Sequence, residues 1–258
     1  MDLGLRGRVA FVAASSKGMG RATALEFAAE GADVGMCARG TEALEAAAAA
    51  VRQRGVRAVA STADLSLESE TSAAVERAVS ELGRLDALVV NAGGPPPGGF
   101  EDLDDAGWNN AFGLTFMSAV HLIRAALPAL RRSDAASILF ISSSSVREPL
   151  PGLALSNGIR PGVAGLAKTL SQELAPGIRV NTLLPGRIRT DRQIELATSR
   201  GITDLDSFFK GVATGVPLER VAEPEEFARV AVFLSSPAAS YVTGTMLAVD
   251  GGLIRATG

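Results

Sequence analysis

Residues 13–20 read Ala-Ala-Ser-Ser-Lys-Gly-Met-Gly, between an apolar run at Arg8–Ala13 and a helical pattern at Arg21–Glu30. Glycines in a strand-to-helix turn let the backbone approach a bound phosphate, whose charge then lies at the helix N-terminus. Two glycines alone would be weak evidence, because glycine-rich turns are common and usually only structural. A strand before the turn and a helix after it, at the start of an alternating chain, predict a dinucleotide-binding turn.

Short apolar runs and longer helical patterns alternate along the rest of the chain. The predicted strands are Arg8–Ala13, Asp33–Ala38, Ala58–Ala63, Ala87–Asn91, Ser137–Ser142, Arg179–Leu184 and Met246–Val249. The predicted helices are Arg21–Glu30, Thr41–Arg54, Leu67–Leu82, Trp108–Arg131, Arg160–Leu174 and Glu225–Leu234. Nearly all-apolar strands are typical of a parallel sheet covered by helices on both faces. The sequence therefore predicts an α/β fold with a doubly wound, Rossmann-type parallel sheet.

One domain is expected for residues 1–258, since no linker, tandem repeat or charge block divides the chain. The Gly93–Gly99 stretch, Gly-Gly-Pro-Pro-Pro-Gly-Gly, follows a strand end and predicts a stiff loop near the ligand crevice. Residues 187–220 fit the alternation poorly and are expected to form the longest irregular insertion. Long insertions in compact domains are often lids or binding loops, so this segment is the predicted substrate loop.

The composition restricts the partners and the location. The net charge of −3 gives no general attraction to nucleic acid or to an acidic membrane surface. Cys37 is the only cysteine, so neither an internal disulfide nor a cysteine metal cluster can form, and no metal is expected. The N-terminal residues lack a signal-peptide pattern, and no uncharged apolar run approaches the length that spans a bilayer. We expect a cytoplasmic protein.

Charges near the first turn predict which dinucleotide binds. An acidic residue at the end of the second strand would bond the adenosine ribose 2′-hydroxyl and repel a 2′-phosphate. Here Ala38 ends that strand, Arg39 follows it, and Lys17 lies in the first turn. Two cations near one expected phosphate favour NADP(H) over NAD(H), although either cation alone could be an ordinary solvated side chain.

Several motifs make the sequence similar to the short-chain dehydrogenase/reductase superfamily over essentially its whole length. They are Gly18 and Gly20 in the first turn, Asn91-Ala92-Gly93, Ile178-Arg179-Val180-Asn181, Pro185-Gly186 with Thr190 beyond, Tyr241-Val242-Thr243-Gly244 and Val249-Asp250-Gly251-Gly252. The family's first turn reads Thr-Gly-x-x-x-Gly-x-Gly, and Ala13 and Ala14 stand in place of its first two residues.

The resemblance implies which residues contact the cofactor. They are Ser15, Ser16, Lys17, Gly18, Met19, Gly20, Arg39, Asp64, Leu65, Asn91, Ala92, Gly93, Arg160, Pro185, Gly186, Ile188 and Thr190. By the same resemblance Asp64 would contact the adenine amino group, and its alternative role is a helix N-cap.

The resemblance also implies a catalytic set, from which this sequence departs. The family reduces a carbonyl by hydride transfer and uses a tyrosine as proton donor, a lysine four residues later, a serine thirteen residues earlier and an asparagine on the preceding helix. The corresponding residues here are Ser156, Arg160, Ser143 and Thr115. The chain has one tyrosine, Tyr241, which belongs to a C-terminal motif. No shift of the alignment can therefore supply the catalytic tyrosine.

These replacements change the acid–base chemistry. A serine hydroxyl is a far weaker acid than a phenol, and Ser156 is too short to reach the same substrate atom directly. Arg160 can still bond ribose hydroxyls and place positive charge near the carbonyl, but it is always protonated. A water held by Ser143 and Ser156 is one alternative proton donor. His121, the only histidine, is interpreted as structural or interfacial, because its place in its helix points it away from the altered site.

The predicted substrate loop begins with a basic segment, Arg187-Ile188-Arg189-Thr190-Asp191-Arg192, just after the Pro-Gly turn that would flank the nicotinamide. This segment predicts a small-molecule substrate with an anionic group, such as a carboxylate or a phosphate-bearing carrier. A solvated, partly self-neutralised loop is the alternative.

Two functions remain open at this stage. The first is an atypical NADPH-dependent oxidoreductase acting on a carbonyl or alcohol, resembling the family's 3-oxoacyl-thioester reductases. The second is a non-catalytic NADP(H)-binding sensor, or a regulatory or scaffold protein with the same fold. A general acid contributes about 10²–10⁴-fold to a rate, so its loss need not abolish activity, and fold alone cannot choose. The resemblance further implies a homo-dimer or homo-tetramer joined through the two long helices and the C-terminal motif.

Overall fold

Seven parallel strands form one sheet in the computed structural model, which describes residues 2–199 and 201–256. The strands are β1 (Val9–Val12), β2 (Asp33–Ala38), β3 (Ala58–Thr62), β4 (Ala87–Val90), β5 (Ala136–Ile141), β6 (Ile178–Pro185) and β7 (Met246–Val249). Their order across the sheet is β3-β2-β1-β4-β5-β6-β7. The predicted α/β fold with a doubly wound parallel sheet is confirmed, and each predicted strand matches an observed one to within one residue at either end.

Helices cover both faces of the sheet. They are α1 (Gly18–Ala29), α2 (Thr41–Arg52), α3 (Glu68–Leu82), α4 (Asp105–Phe112), α5 (Ser118–Leu130), α6 (Ala154–Glu173), α7 (Asp191–Ser199), α8 (Leu205–Val212) and α9 (Pro224–Ser235). In β1, Val9 and Phe11 pack with α3, α5 and α6, whereas Ala10 and Val12 pack with α1, α2 and α9. Successive strand residues point to opposite faces, so a strand buried on both faces is apolar throughout.

The strand order places the ligand crevice. From β1 the chain builds the sheet outward in one direction through β2 and β3. It then crosses back to β4, next to β1, and builds outward in the other direction, so the direction of winding reverses between β1 and β4. In open α/β sheets, ligands bind outside the carboxyl ends of the strands at such a point. Both the 13–20 turn and Asn91-Ala92-Gly93 follow these two strands and lie at this edge.

The segment 187–220 contains two helices, so the prediction of an irregular insertion was wrong. It includes α7 and α8, and α8 begins where Asp204 Oδ1 accepts a hydrogen bond from the Ser207 N–H at 3.0 Å. The α8 helix buries Phe209. Helices of two turns carry too few residues for an apolar period to stand out, and their stability comes from tertiary packing.

The predicted helices differ from the observed ones by one to three residues at most ends, and two of them differ in a more informative way. The predicted helix Trp108–Arg131 is α4 and α5 joined by a π-helical turn, Gly113–Met117. The α6 helix begins at Ala154 and contains Pro161, where the sequence favoured a helix start. The span Asp105–Leu130 is long and apolar enough to cross a membrane by length and composition, and its buried side chains pack in the core beside α3.

Candidate active site

The turn at residues 13–20 has a shape that requires glycine at one position. A Cβ on Gly20 would lie 2.3 Å from the Ala14 carbonyl oxygen and 2.9 Å from Asn91 Nδ2. Asn91, just after β4, donates to the carbonyls of Ala13 and Ala14 and so ties the turn to the neighbouring strand. Gly18 begins α1 with a φ of +55°, and the preceding residue makes no side-chain capping bond. The helix N-terminus therefore presents N–H groups toward the crevice.

Two carboxylates of α7 contact the anion-binding groups of this turn. Asp191 Oδ2 accepts a hydrogen bond from the Gly18 N–H at 2.8 Å. Glu195 Oε1 lies 2.6 Å from Lys17 Nζ, and this hydrogen bond is the main cause that raises the pKa of Lys17. The sequence predicts these same two groups to hold cofactor phosphates. Their carboxylate partners demonstrate that both can bind an anion in this fold.

A first cleft, of about 470 Å³, lies between this turn and the ends of β2 and β3. It brings together five predicted cofactor residues, namely Ser16, Lys17, Arg39, Leu65 and Gly93. The N-cap interpretation of Asp64 is wrong, because α3 begins at Glu68. Asp64 Oδ1 instead accepts hydrogen bonds from the Ser66 N–H and hydroxyl at 2.9 and 2.7 Å, and these bonds lower the pKa of Asp64.

A second cleft, of about 430 Å³, lies at the carboxyl ends of β4, β5 and β6. Ten predicted site residues line it, namely Met19, Asn91, Ala92, Ser143, Ser156, Arg160, Pro185, Gly186, Ile188 and Thr190. The Gly93–Gly99 loop contributes part of the wall, as expected from its place after β4. The structure does not bring five predicted residues to the lining of either cleft, namely Ser15, Gly18, Gly20, Asp64 and Thr115.

Serines 142–145 follow β5, and Ser142, Ser143 and Ser144 line the second cleft. The Ser143 Oγ accepts a hydrogen bond from the Ser145 N–H at 3.1 Å, which leaves its own proton free to bond a ligand. The Ser156 hydroxyl lies 3.1 Å from Ser145 Oγ, and both side chains are buried. Ser156 thus pairs directly with Ser145, whereas the sequence predicts a water shared with Ser143. Sequence reasoning missed Ser145, because four identical residues do not reveal which of them faces α6.

Arg160 supplies the second cleft with a half-buried positive charge. Burial lowers the pKa of its guanidinium to about 10, and the charge of Arg192 acts in the same direction. No described carboxylate contributes to its electrostatic environment. The group still stays protonated at neutral pH, whereas a lysine in an uncompensated buried site would lose its proton more easily.

Thr115 and His121 lie outside the second cleft. Thr115 is buried in the π-helical turn and His121 is buried in α5. Within the described residues, Thr115 Oγ1 and His121 Nδ1 have no hydrogen-bond partner. Their placement agrees with a structural role for His121 and leaves Thr115 apart from the serines and Arg160.

The three arginines of the basic segment take different positions. Arg187 lines the second cleft, and Arg192 lines both clefts. Arg192 donates to the carbonyl oxygens of Gly94 at 2.6 Å and Pro95 at 3.1 Å. Arg189 points elsewhere, with its guanidinium carbon 4.6 Å from the centre of the Phe209 ring.

Comparisons with known proteins cover almost the entire chain. The family model described as enoyl-(acyl carrier protein) reductase matches residues 13–254. An uncharacterised oxidoreductase of Mycobacterium tuberculosis is 34% identical over 95% of this chain and 92% of its own length.

Two solved structures are similar in both sequence and fold. L-Sorbose reductase from Gluconobacter frateurii, complexed with NADPH and L-sorbose, is 34% identical, with a TM-score of 0.94 over 99% of this chain and 100% of that one. An NADPH-bound short-chain oxidoreductase from Pseudomonas aeruginosa, described as containing an atypical catalytic center, is 34% identical, with a TM-score of 0.91 over 97% of this chain and 98% of that one. With the parallel sheet and the glycine turn, these matches show that the chain belongs to the short-chain dehydrogenase/reductase superfamily of oxidoreductases.

Proposed function

We propose that this chain is an NADPH-dependent reductase of carbonyl compounds, in which the Ser143 hydroxyl orients the carbonyl while Arg160 and water act in place of the family's tyrosine and lysine. The observation that carries the proposal is a half-buried guanidinium, without a described carboxylate partner, that shares a cleft with the hydroxyls of Ser143 and Ser156. The proposal is supported by oxidoreductase relatives and by a solved neighbour that is NADPH-bound and is described as containing an atypical catalytic center.

The residues of the first cleft and the glycine turn fit NADP(H). The Gly18 N–H and Lys17 Nζ already bind carboxylates, and Arg39 adds a second cation beside Lys17 for the 2′-phosphate. A Cβ on Gly20 would collide with the Ala14 carbonyl, so this turn is as tight as pyrophosphate binding requires. When bound, NADPH supplies the hydride for the reduction.

Arg160 and the serines have distinct roles in the proposed reaction. Arg160 stabilises the negative charge that develops on the carbonyl oxygen, since a half-buried charge is screened less than an exposed one. The Ser143 hydroxyl donates a hydrogen bond to the same oxygen and orients it. The proton comes from water, because a serine hydroxyl is a very weak acid and a guanidinium rarely releases its proton. The Ser145–Ser156 pair holds α6 against the serine turn and keeps Arg160 facing the cleft.

The first test is a titration with NADPH and, separately, with NADH, followed by the emission of Trp108, the only tryptophan. The cations of the first cleft should make NADPH bind at least about tenfold more tightly than NADH. NADPH oxidation is then followed with a panel of carbonyl compounds that includes 3-oxoacyl thioesters. Failure of both nucleotides to bind, checked by calorimetry, would overturn the proposal.

A second candidate function is a non-catalytic NADP(H)-binding sensor or regulatory protein. The observation in its favour is that Ser156, at the position of the family's acid, is buried against Ser145. This function is assigned instead if NADPH binds, no carbonyl of the panel is reduced, and the double variant Ser156→Tyr/Arg160→Lys gains reductase activity.

A further inference from the structure

The second cleft is basic although the whole protein is acidic. Its described lining contains Arg160, Arg187 and Arg192 and neither aspartate nor glutamate, whereas the chain carries a net charge of −3. Guanidinium groups in a partly buried cleft are unfavourable unless an anion compensates them. We propose that the oxo substrate carries a carboxylate or phosphate group, bound by Arg187 and Arg192 while Arg160 faces the carbonyl. This inference rests on the reductase function proposed above.

Nearby arginines outside the cleft are neutralised by the protein itself. Arg189 lies 4.0 Å from Asp206 and over the Phe209 ring, and Arg220 forms a bond of 2.7 Å with Glu226. Arg187 is different, because its buried Nε has no hydrogen-bond partner among the described residues. Arg187 lines both the second cleft and a neighbouring cavity that Glu226 and Asp250 also line, and no described ion pair joins it to either carboxylate.

The backbone holds Arg187 rigidly. Its carbonyl oxygen accepts a hydrogen bond from the Ala222 N–H at 2.9 Å, and the Arg189 N–H donates to the Ala222 carbonyl at 2.8 Å. On the other side, a Cβ on Gly186 would lie 2.5 Å from Asp250 Cα, so β6 packs tightly against the C-terminal segment just before Arg187. A cation fixed in this way needs little reorganisation when it binds an anion.

Arg192 supplies a further guanidinium to the same cleft. Two of its nitrogens donate to the carbonyls of Gly94 and Pro95, which orient the guanidinium without neutralising its charge. Its charge acts on Arg160 and lowers that residue's pKa, so the two guanidinium groups are close enough to repel each other. An anion between them would relieve this repulsion.

The phosphates of the cofactor are the competing explanation for these charges. The groups that fit those phosphates, Lys17 and the Gly18 N–H, belong to the first turn, and Arg192 borders both clefts. Arg187 lines the second cleft but not the first. A variant of Arg187 therefore separates an effect on the substrate from an effect on the cofactor.

The test compares charged and neutral carbonyl probes. Pyruvate and levulinate are each paired with their methyl ester, and dihydroxyacetone phosphate is paired with dihydroxyacetone. We expect kcat/KM to be at least about tenfold higher for the anionic member of the preferred pair, and Arg187→Gln to remove this advantage. The acid pairs and the phosphate pair distinguish a carboxylate from a phosphate as the recognised group. Arg189→Gln is the matched control, with the same loss of charge two residues away, and should change nothing.

A binding measurement tests the anion site independently of any reduction. Oxamate, an unreactive oxo-acid analogue, and inorganic phosphate are titrated calorimetrically into the NADP⁺ complexes of the wild type and Arg187→Gln. Binding of either anion by the wild type that weakens about tenfold in Arg187→Gln, with NADPH affinity unchanged, supports the anion site even if no probe is reduced. Equal reduction of acids and esters, or the absence of anion binding, overturns the inference and leaves the reductase proposal standing. If anions bind but no carbonyl of any charge is reduced, the reductase proposal alone fails.

Discussion

At the scale of single residues, replacing Arg160 distinguishes a role in catalysis from a role in stabilising the fold. Arg160→Met removes the charge and keeps a long apolar stem, so the proposed reduction should slow by about 10²–10³-fold, as when one oxyanion donor is lost. The melting temperature should stay constant or rise slightly, because a half-buried charge that loses part of its hydration and has no described carboxylate partner opposes folding. Arg160→Lys keeps a positive charge and should retain more activity. A lower melting temperature for the Met variant, with no recovery in the Lys variant, would assign Arg160 a structural role instead.

Glu195 forms an ion pair with a predicted cofactor-binding cation, which the sequence motifs do not reveal. Its carboxylate bonds Lys17 at 2.6 Å and so competes with the phosphate that Lys17 is proposed to bind. Glu195→Gln removes this competition, so NADPH should bind about two- to fivefold more tightly, a small gain because exposed ion pairs are weak. NADH lacks the 2′-phosphate and serves as the control, with no expected change. An equal gain for both nucleotides would mean that the substitution acts by loosening α7 rather than through the phosphate.

At the scale of elements, Asp86 joins three parts of the fold just before β4. Its carboxylate accepts hydrogen bonds from the Val9 N–H of β1 at 2.9 Å, from Arg84 at 2.6 Å and from the Ser133 hydroxyl after α5 at 2.6 Å. Burial alone would raise the pKa of Asp86, but the hydrogen bonds outweigh it and hold this pKa below its ordinary value. The Asp86 carboxylate therefore stabilises the folded protein at pH values above its pKa in the unfolded chain, which is about 4. This stabilisation is lost as the pH falls through the lower pKa that Asp86 has in the folded protein.

Asp86→Asn should accordingly reduce the free energy of unfolding at neutral pH by about 1–3 kcal/mol. The difference between variant and wild type should shrink as the pH is lowered, since the wild-type carboxylate becomes protonated. Urea unfolding at a series of pH values measures both effects. Asp134→Asn is the control, because Arg8 lowers the pKa of Asp134 to about 2 but this carboxylate is exposed and solvent screens it. An equal effect of the two variants would contradict the assigned role of Asp86.

The sequence predicts elements well where burial determines their residue types. The β1 strand is apolar at every position because both of its faces are covered, and its predicted bounds differ from the observed ones by one residue. Elements that depend on tertiary contacts are harder to predict. Nothing in the sequence around Gly113 indicates a π-helical turn, and the helices α7 and α8 are too short to show an apolar period. Most of the predicted site residues line the two clefts, but the Ser145–Ser156 pair and the carboxylates on Lys17 and Gly18 arise only once the chain has folded.

At the scale of the whole molecule, the edge strand β7 is where a second copy of the chain is expected to bind. Within the described sheet β7 pairs only with β6, and Met246 and Leu247 of this strand and the preceding Tyr241 are exposed apolar side chains. An exposed edge strand with apolar residues is a template for association, which agrees with the homo-dimer or homo-tetramer that the family resemblance implies. The molar mass measured by light scattering during size-exclusion chromatography should therefore be a multiple of the mass of one chain.

Association at this edge should also affect the second cleft. Arg147, just after the serine turn, donates to the Met246 carbonyl at 3.1 Å, so the position of β7 is coupled to the wall that carries Ser143. Leu247→Glu buries a charge in the proposed interface and should yield a monomer whose NADPH affinity is unchanged, since Lys17 and Arg39 lie at the opposite end of the sheet. Its turnover should fall through a lower kcat, because the serine turn loses the support of a fixed edge strand. Glu225→Gln, an exposed substitution on α9, is the control for a surface change of charge. A monomeric variant with full turnover would show that the cleft is complete within one chain and that β7 serves association alone.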